Sequence, residues 1–274
     1  MATRDAMEFM NEQDDATLQR FIERFEFRGK DPTFVAYREA YLDQLELSPS
    51  ATVLELGCGT GVVARALASR AGFSGPITGV DQSPVLLDAA RRLAAEEGVG
   101  ERIEFRVGDA HALDLPDASF DMAIANTLVS HVTNPVAVLE EAVRVVRPGG
   151  AVVVFDGDYA SWTFGCSDPV LGKAMEDALL AAVISKPRVM REMPRLLRRA
   201  GLQMSKTQAH VYAEIGTGRF FLGQVETYGP VVARAGLLPV EQVQAWMVEQ
   251  RQASEQGVFF GATNYYTYLA SRPT

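Results

Sequence analysis

Two patterns of apolar and polar residues alternate along the chain. One is the period of an α-helix and the other is a short continuous apolar run, and the change from one to the other marks the boundaries of the predicted elements. Near the N-terminus, apolar residues recur every three or four positions, as on one face of an α-helix. The segments 14–28 and 32–46 have this spacing, and we predict a helix for each. Pro32 suits the first turn of the second helix, where the N–H that proline lacks would have no helical partner. Two amphipathic helices are therefore expected before residue 47.

From residue 52 onward, short apolar runs alternate with segments of helical period. The runs predict buried strands over 52–56, 77–80, 102–107, 120–125 and 151–155. The segments between them predict helices over 61–70, from Pro84 with Ser83 as its cap, and over 135–146. Strands joined through helices form right-handed crossovers and a mostly parallel sheet. We therefore predict a doubly wound α/β fold, with its ligand at the carboxyl ends of the strands.

The pattern becomes less regular after Asp156. Aromatic residues and then a helical segment fill 157–186, and 187–200 is predicted as a helix despite Pro194. A sixth strand is expected within 200–212, helices over 217–235 and 240–254, and a last strand within 258–269. The sequence contains no repeat, linker or low-complexity tract. We therefore expect one domain with insertions.

The amino-acid composition limits the classes of molecule that the protein is expected to bind. The chain has 274 residues, 47% of them hydrophobic, and a formal net charge of −9. This balance argues against nucleic-acid binding, which needs a basic surface, and against attraction to anionic lipid. The first residues lack the apolar run of a signal peptide, and no apolar stretch is long enough to span a bilayer. We therefore expect a cytoplasmic protein with no nucleic-acid or membrane partner, whose oligomeric state the sequence leaves open.

Cysteine and histidine are too few and too scattered for a metal site. The two cysteines, Cys58 and Cys166, form neither a disulfide framework nor a ligand cluster. The three histidines stand at positions 111, 131 and 210. No metal is therefore expected.

A glycine-rich turn follows the first predicted strand, in the stretch VLELGCGTG. Gly57, Gly59 and Gly61 occupy alternate positions between that strand and the next helix. Glycine lets a ligand approach the backbone closely, and the helix amino end offers free N–H groups. The turn therefore predicts a nucleotide-binding site, although similar turns also bind dinucleotides and phosphates.

Two acidic residues narrow the range of ligands that the site could bind. Asp81 ends the second predicted strand, 20 residues after Gly61, where a carboxylate can accept both ribose hydroxyls. Asp109 follows the third strand, where it can accept from an exocyclic amine. The glycine spacing is G-x-G-x-G, whereas dinucleotide enzymes prefer G-x-G-x-x-G. The alternative is that Asp81 and Asp109 are only solvated acids at the ends of strands.

Between residues 52 and 156 the sequence resembles the class I S-adenosylmethionine-dependent methyltransferases, especially the branch of the ubiquinone and menaquinone C-methyltransferases and many natural-product methyltransferases. The matching stretches are VLELGCGTG, GVDQS, GDAHALDLPDASFD and HVTNPVAVLEEAVRVVRPGG. The resemblance implies a Rossmann-like sheet of seven strands, mostly parallel with an antiparallel last strand, plus N-terminal helices and helical insertions. It also implies S-adenosylmethionine as cofactor and S-adenosylhomocysteine as product. The acceptor would be a small, partly apolar metabolite, methylated on oxygen, nitrogen or carbon.

The resemblance divides the single domain, 1–274, into three parts. Residues 1–47 would form a helical lid, 48–156 the cofactor-binding core, and 157–274 the helices and last strands on the acceptor side. The methionine moiety would be held by Glu55, Asn126 and the turn formed by Gly57, Cys58, Gly59 and Gly61. Asp81 would bind the ribose, and the adenine would contact Gln82, Asp109 and the amide of Ala110.

His131 is the candidate catalytic residue. An oxygen or carbon acceptor usually needs deprotonation, and His131 stands five residues after Asn126, on the loop that faces the methyl group in this fold. The alternative is that His131 packs against, or caps, the helix that begins near Asn134. Arg28 is a weaker candidate, as a partner of the methionine carboxylate. Five aromatic residues are candidates either for an apolar acceptor pocket or for the core: Trp162, Phe164, Phe220, Phe221 and Tyr228.

Two other functions stay open at this point. Some proteins of this fold keep the cofactor but catalyse cyclisation or another reaction without methyl transfer. A second alternative is a binding or regulatory module whose site has decayed, although the intact glycines, Asp81 and Asp109 argue against it.

Overall fold

A seven-stranded mixed sheet forms the centre of the computed structural model, which describes residues 15–45 and 47–274. The strands are β1 (Val53–Leu56), β2 (Ile77–Asp81), β3 (Ile103–Val107), β4 (Phe120–Asn126), β5 (Val146–Phe164), β6 (Gln203–Gly216) and β7 (Phe259–Ser271). Their order in the sheet is β3-β2-β1-β4-β5-β7-β6. Only β7 runs antiparallel to its neighbours, β5 and β6, whereas the pairs from β3 to β5 are parallel. The predicted doubly wound sheet with an antiparallel last strand is confirmed.

Helices cover both faces of this sheet. They are α1 (Asp15–Lys30), α2 (Pro32–Gln44), α3 (Val62–Ala68), α4 (Pro84–Glu96), α5 (Pro135–Val145), α6 (Pro169–Val183), α7 (Val189–Arg199), α8 (Phe220–Arg234) and α9 (Val240–Glu255). Residues 1–14 and 46, which the predicted lid and the first two predicted helices include, lie outside the described residues. Within the described residues, no helix is both long enough and apolar enough to cross a membrane.

Four helices begin with the same local signal, a capping side chain followed by proline. Asp31, Ser83, Asn134 and Asp168 each accept a hydrogen bond from an N–H in the first turn of the next helix. The capping oxygen satisfies an amide that has no helical partner, and proline at the next position loses no hydrogen bond. These starts are therefore determined by short stretches of sequence.

Neighbouring residues of a strand point to opposite faces, so one strand supplies two cores. Val53 and Ile124 join the core on one side of the sheet, whereas Leu54 and Ala123 join the core on the other side. All four residues of β1 are buried. The strand order reverses beside β1, between β2 and β4, which is where open α/β sheets form a ligand crevice.

The second half of the sheet is longer than the sequence pattern predicts. The predicted fifth strand covered 151–155, but β5 continues to Phe164 because its outer part pairs with β7. In that part Gly157 lies opposite Tyr265 and Thr163 lies opposite Ala262. This pairing joins segments about a hundred residues apart, so no local period reveals it. The helix through Pro194, by contrast, is present as predicted.

Candidate active site

A cleft opens at the carboxyl ends of β1, β2 and β4, and α1 and α2 cover it. Most of the site residues predicted from the sequence line this cleft: Glu55, Gly57, Cys58, Gly59, Asp81, Gln82, Asp109, Ala110, Asn126 and His131. Gly61 is not in the lining. The fold thus brings together residues that are up to 76 positions apart in the sequence (Glu55 to His131).

The glycine turn requires glycine for its backbone and for packing. Gly57, Gly59 and Gly61 have φ angles of 61°, 54° and 74°, in the left-handed region that L side chains rarely adopt. A Cβ on Gly57 would lie 2.5 Å from Cδ1 of Leu128, and one on Gly61 would lie 2.7 Å from the ring of Phe105. Gly61 therefore shapes the turn from behind the cleft.

Glu55 is a buried acid at the end of β1. Its Oε2 accepts a hydrogen bond from the N–H of Ala64, in α3, over 2.8 Å. Burial raises the pKa of Glu55 to about 8, although that hydrogen bond and the charge of Arg65 act in the opposite direction. The carboxyl group is thus largely protonated at neutral pH, and a cation bound beside it would favour the carboxylate.

Cys58 fills the interior of the turn. Its side chain is buried, and its N–H donates to the carbonyl of Val80 over 3.0 Å. Burial raises the pKa of the Cys58 thiol well above its ordinary value, and the charges of Glu55 and Asp81 raise it further. Cys58 therefore remains a neutral thiol and has no nucleophilic role.

Asp81 connects the glycine turn to the start of α4. One carboxylate oxygen accepts from the N–H of Gly59 over 2.8 Å, and the other accepts from the N–H of Ser83 over 2.9 Å. Burial raises the pKa of Asp81, and these backbone hydrogen bonds counteract that rise. Each oxygen keeps a further lone pair, so the side chain can accept from ligand hydroxyls in the cleft as well.

Asp109 lies at the opposite edge of the cleft from the turn, after β3. Its Oδ1 accepts from the backbone N–H of His111 over 2.9 Å and lies 2.7 Å from Nδ1 of the same residue. Partial burial acts to raise the pKa of Asp109, but the hydrogen bonds from His111 outweigh it and lower the pKa. Asp109 is therefore a carboxylate at neutral pH, and it fixes the backbone on either side of Ala110.

Two contacts fasten the N-terminal helices to the end of β4. The hydroxyl of Tyr41, in α2, donates to Oδ1 of Asn126 over 3.2 Å. Arg28, in α1, donates through Nη2 to Oγ1 of Thr127 over 2.5 Å. Thr127 has a φ of 52°, in the left-handed region. Neither contact has a local signal in the sequence, because each joins segments more than 80 residues apart.

His131 lies in the loop between β4 and α5, next to an acid that the sequence analysis missed. Its side chain is buried, and the centre of its ring is 5.8 Å from that of Tyr159. The acid is Asp156, fully buried in β5, which accepts from the N–H groups of Ser130 (3.0 Å) and Gly157 (2.7 Å). Burial raises the pKa of the Asp156 carboxyl, and the nearby imidazole of His131 partly offsets this when it is charged. The N-cap of α5 is Asn134, so capping is not the role of His131.

The five aromatic residues considered for an acceptor pocket are core residues. Trp162, Phe164, Phe220, Phe221 and Tyr228 are all buried in one hydrophobic cluster, and none is among the residues that line the cleft. The cleft instead receives aromatic side chains from Phe34 in α2 and from Phe155 and Tyr159 in β5. The core alternative is therefore correct, because the extended β5 and β7 bury those rings against α8 and α9.

Two arginines of α1 enter the cleft one helical turn apart. Arg28 reaches the end of β4, as described above. Arg24 donates to the hydroxyl of Tyr228, and its guanidinium lies 4.8 Å from the centre of that ring. The cleft therefore carries positive charge on the side that α1 covers.

Comparisons with known proteins identify the family. Residues 47–217 match a family model described as a methyltransferase domain. The chain is 30% identical over 237 residues to an uncharacterized 37.1 kDa protein in transposon TN4556 of Streptomyces fradiae, covering 86% of this chain and 66% of the relative. It is 38% identical to the 2-methyl-6-phytyl-1,4-hydroquinone methyltransferase of a Synechocystis strain, over 40% of this chain and 33% of that protein. The chain thus spans less than two thirds of the length of each of these relatives.

A solved structure shows the same fold. A crystal structure of a putative methyltransferase from Bacillus halodurans superimposes with a TM-score of 0.62 at 17% sequence identity. The match covers 86% of this chain and 99% of that protein. At this level of identity the likeness concerns the fold alone.

Proposed function

Because this chain belongs to the family of class I S-adenosylmethionine-dependent methyltransferases, we propose that it transfers the methyl group of S-adenosylmethionine to a small, partly apolar acceptor. S-adenosylhomocysteine is the second product. One observation carries the proposal: the glycine turn, Asp81, Asp109 and Asn126 line a single cleft at the reversal point of the sheet. A site that had lost its cofactor would have no reason to keep all four.

Each part of the cofactor has a matching group in the cleft. The adenine lies along Gln82, with its amino group on Asp109 and a ring nitrogen on the amide of Ala110. The ribose hydroxyls bind Asp81, whose oxygens keep free lone pairs beside their backbone donors. The methionine end binds the amides of the turn, with its ammonium near Glu55 and Asn126. Glu55 then changes to the carboxylate form, because a neighbouring cation lowers a carboxyl pKa.

The cofactor supplies a methyl group already activated on a sulfonium, so the protein needs no nucleophile. Alignment of the acceptor accounts for much of the rate. His131 removes the proton from an oxygen or carbon acceptor as the methyl group arrives. Asp156 orients the imidazole and stabilises its charged form. The lowering of the Asp156 pKa by the charge of His131 supports the second of these roles.

The remaining parts of the chain surround the acceptor. Arg28 and Tyr41 anchor α1 and α2 to the end of β4. The two helices therefore stay over the cleft and form a lid that keeps water out. β5, β7 and the helices that follow form the acceptor side, within one domain over 1–274. The net charge of −9 supports a small-molecule acceptor rather than a nucleic acid. We place the reaction in the cytoplasm.

The first prediction is that the protein forms S-adenosylhomocysteine in the presence of an acceptor. Purified protein is incubated with S-adenosylmethionine and a panel of small aromatic and terpenoid metabolites, and products are analysed by mass spectrometry. We expect one acceptor to gain a methyl group, with an equal amount of S-adenosylhomocysteine. Conversion of a panel member without S-adenosylhomocysteine would instead support the non-methylating alternative. Binding of the cofactor with no turnover of any panel member contradicts the proposed transferase.

A further inference from the structure

Arg24 and Arg28 are cations in the cleft without a carboxylate partner among the side chains that the structure describes. Arg28 donates to the hydroxyl of Thr127, and Arg24 donates to the hydroxyl of Tyr228. The third arginine of the lining, Arg38, differs, because its Nε lies 3.5 Å from a carboxylate oxygen of Glu39. Within residues 17–45 and 47–274, no ion pair involves Arg24 or Arg28.

The acids of the cleft already have other partners. Glu55 and Asp81 accept from backbone N–H groups, and Asp109 is held by His111. Glu26, on the same helix as the two arginines, is paired with Arg65 and accepts from Thr60. Among the described side chains, none of these acids forms an ion pair with Arg24 or Arg28, so the side of the cleft that α1 covers keeps positive charge.

The cofactor neutralises only one of the two arginines. In the proposed function the cofactor brings a single carboxylate, on the methionine end. Arg28 is fastened to Thr127, the residue directly after Asn126, and so lies where that carboxylate binds. Arg24, one turn earlier on α1, remains unpaired with the cofactor bound.

Arg24 lies at one end of a row of aromatic rings that leads to His131. Its guanidinium rests on Tyr228, whose ring centre is 6.3 Å from that of Trp162. Trp162 is 5.4 Å from Tyr159, and Tyr159 is 5.8 Å from His131. These ring contacts pass through the core beneath the cleft, and Arg24, Tyr159 and His131 themselves line the cleft.

We propose that the acceptor carries an acidic group, a carboxylate or a phosphate, which Arg24 binds while the atom to be methylated lies beside His131. A guanidinium has five N–H donors in a planar fork that matches both oxyanions, and Arg24 uses only part of this capacity on Tyr228. The cation and the aromatic side chains that line the cleft, among them Phe34, Phe155 and Tyr159, together select an acid with an apolar or aromatic body. This inference rests on the proposed function and names its class of substrate.

The test uses pairs of ligands that differ only in charge. The protein is first saturated with S-adenosylhomocysteine, and calorimetry then measures binding of benzoate, phenylacetate and phenylpropanoate, and of the carboxamide of each. Phenyl phosphate is compared with phenol in the same way. This pair shows whether the site prefers a phosphate to a carboxylate. We expect at least one acid to bind about tenfold or more tightly than its neutral partner, because hydrogen bonds to a charged group are strong.

Two variants assign the preference to Arg24. Arg24→Gln should abolish it and leave the affinity for S-adenosylhomocysteine unchanged. Arg20→Gln is the matched control, since Arg20 is an exposed arginine one turn earlier on α1 and does not line the cleft. It should keep the preference in full.

Three outcomes overturn the inference. The first is that no acid of the panel is preferred to its neutral partner, whether or not any of the compounds bind. The second is that Arg24→Gln keeps the preference. The third is that Arg24→Gln lowers the affinity for S-adenosylhomocysteine itself, which would mean that Arg24 binds the cofactor carboxylate. Failure of the wild-type protein to bind S-adenosylhomocysteine is detected before any acid is added, and it counts against the proposed function instead.

Discussion

His131→Ala should lower kcat by about 10²–10⁴-fold, the usual contribution of a positioned proton-transfer group, and should leave the affinity for S-adenosylhomocysteine unchanged. His131 is buried beside Asp156 and Tyr159, at the side of the cleft where we propose that the acceptor binds. The variant loses the proton acceptor but none of the proposed cofactor contacts. The measurement is steady-state kcat on the acceptor found in the screen, with the melting temperature recorded to verify folding. His210→Ala is the control, because His210 stacks on Tyr37 from β6 and does not line the cleft.

Asp156 gives this prediction a second readout. Asp156→Asn removes a negative charge beside the imidazole, so the pKa of His131 should fall. A general base must be neutral, so kcat should then reach its plateau at a lower pH than in the wild type, with a lower plateau value. A purely structural role of Asp156 would change the melting temperature but not the position of this pH profile. A loss of less than about tenfold in His131→Ala would mean that alignment alone carries the rate and that His131 only packs.

Asp81→Asn should weaken S-adenosylhomocysteine binding by roughly tenfold to a hundredfold. A net contribution of about 1.5–3 kcal/mol is typical of hydrogen bonds to a charged group, which corresponds to this loss, and the amide removes that charge from the ribose contacts. The structure adds a second cost. Both oxygens of Asp81 accept from backbone N–H groups, whereas asparagine has only one oxygen to offer Gly59 and Ser83.

Calorimetric titration with S-adenosylhomocysteine measures this effect. Asp88→Asn is the matched control, since Asp88 is an exposed acid on α4 that pairs with Arg91 on the same helix and does not line the cleft. It should bind the ligand as the wild type does. If Asp81→Asn also binds with unchanged affinity, the ribose does not lie on Asp81 and the proposed orientation of the cofactor is wrong.

The cofactor-binding part of the molecule, residues 48–156, could be predicted from the sequence, because its structure depends on short segments. In this part, the elements follow one another within about 20 residues: a buried strand, a turn that needs left-handed glycines, and a capped helix. The residues at which each element begins and ends are therefore determined by the sequence nearby. Gly57, Asp81 and Asp109 were found in this way, because each stands within two residues of the end of a predicted strand. The fold is confirmed, and their roles in binding remain predictions.

The acceptor side depends on contacts between distant segments. Arg24 meets Tyr228 across 204 positions, and Tyr41 meets Asn126 across 85. The outer part of β5 exists because β7 pairs with it, and this pairing buries Trp162 as core. No period in the sequence encodes such contacts. Asp156 did have a signal, an acid directly after the apolar run of the fifth predicted strand, like Asp81 after the second.

The most direct test of the whole account is a calorimetric titration of the folded wild-type protein with S-adenosylhomocysteine. The cleft offers groups for the adenine, the ribose and the methionine end, and we expect one site per chain with micromolar affinity, corresponding to about −8 kcal/mol. Adenosine, which lacks the methionine end, should bind more weakly, because it cannot use the amides of the glycine turn. A folded protein that binds neither S-adenosylhomocysteine nor S-adenosylmethionine would contradict the account.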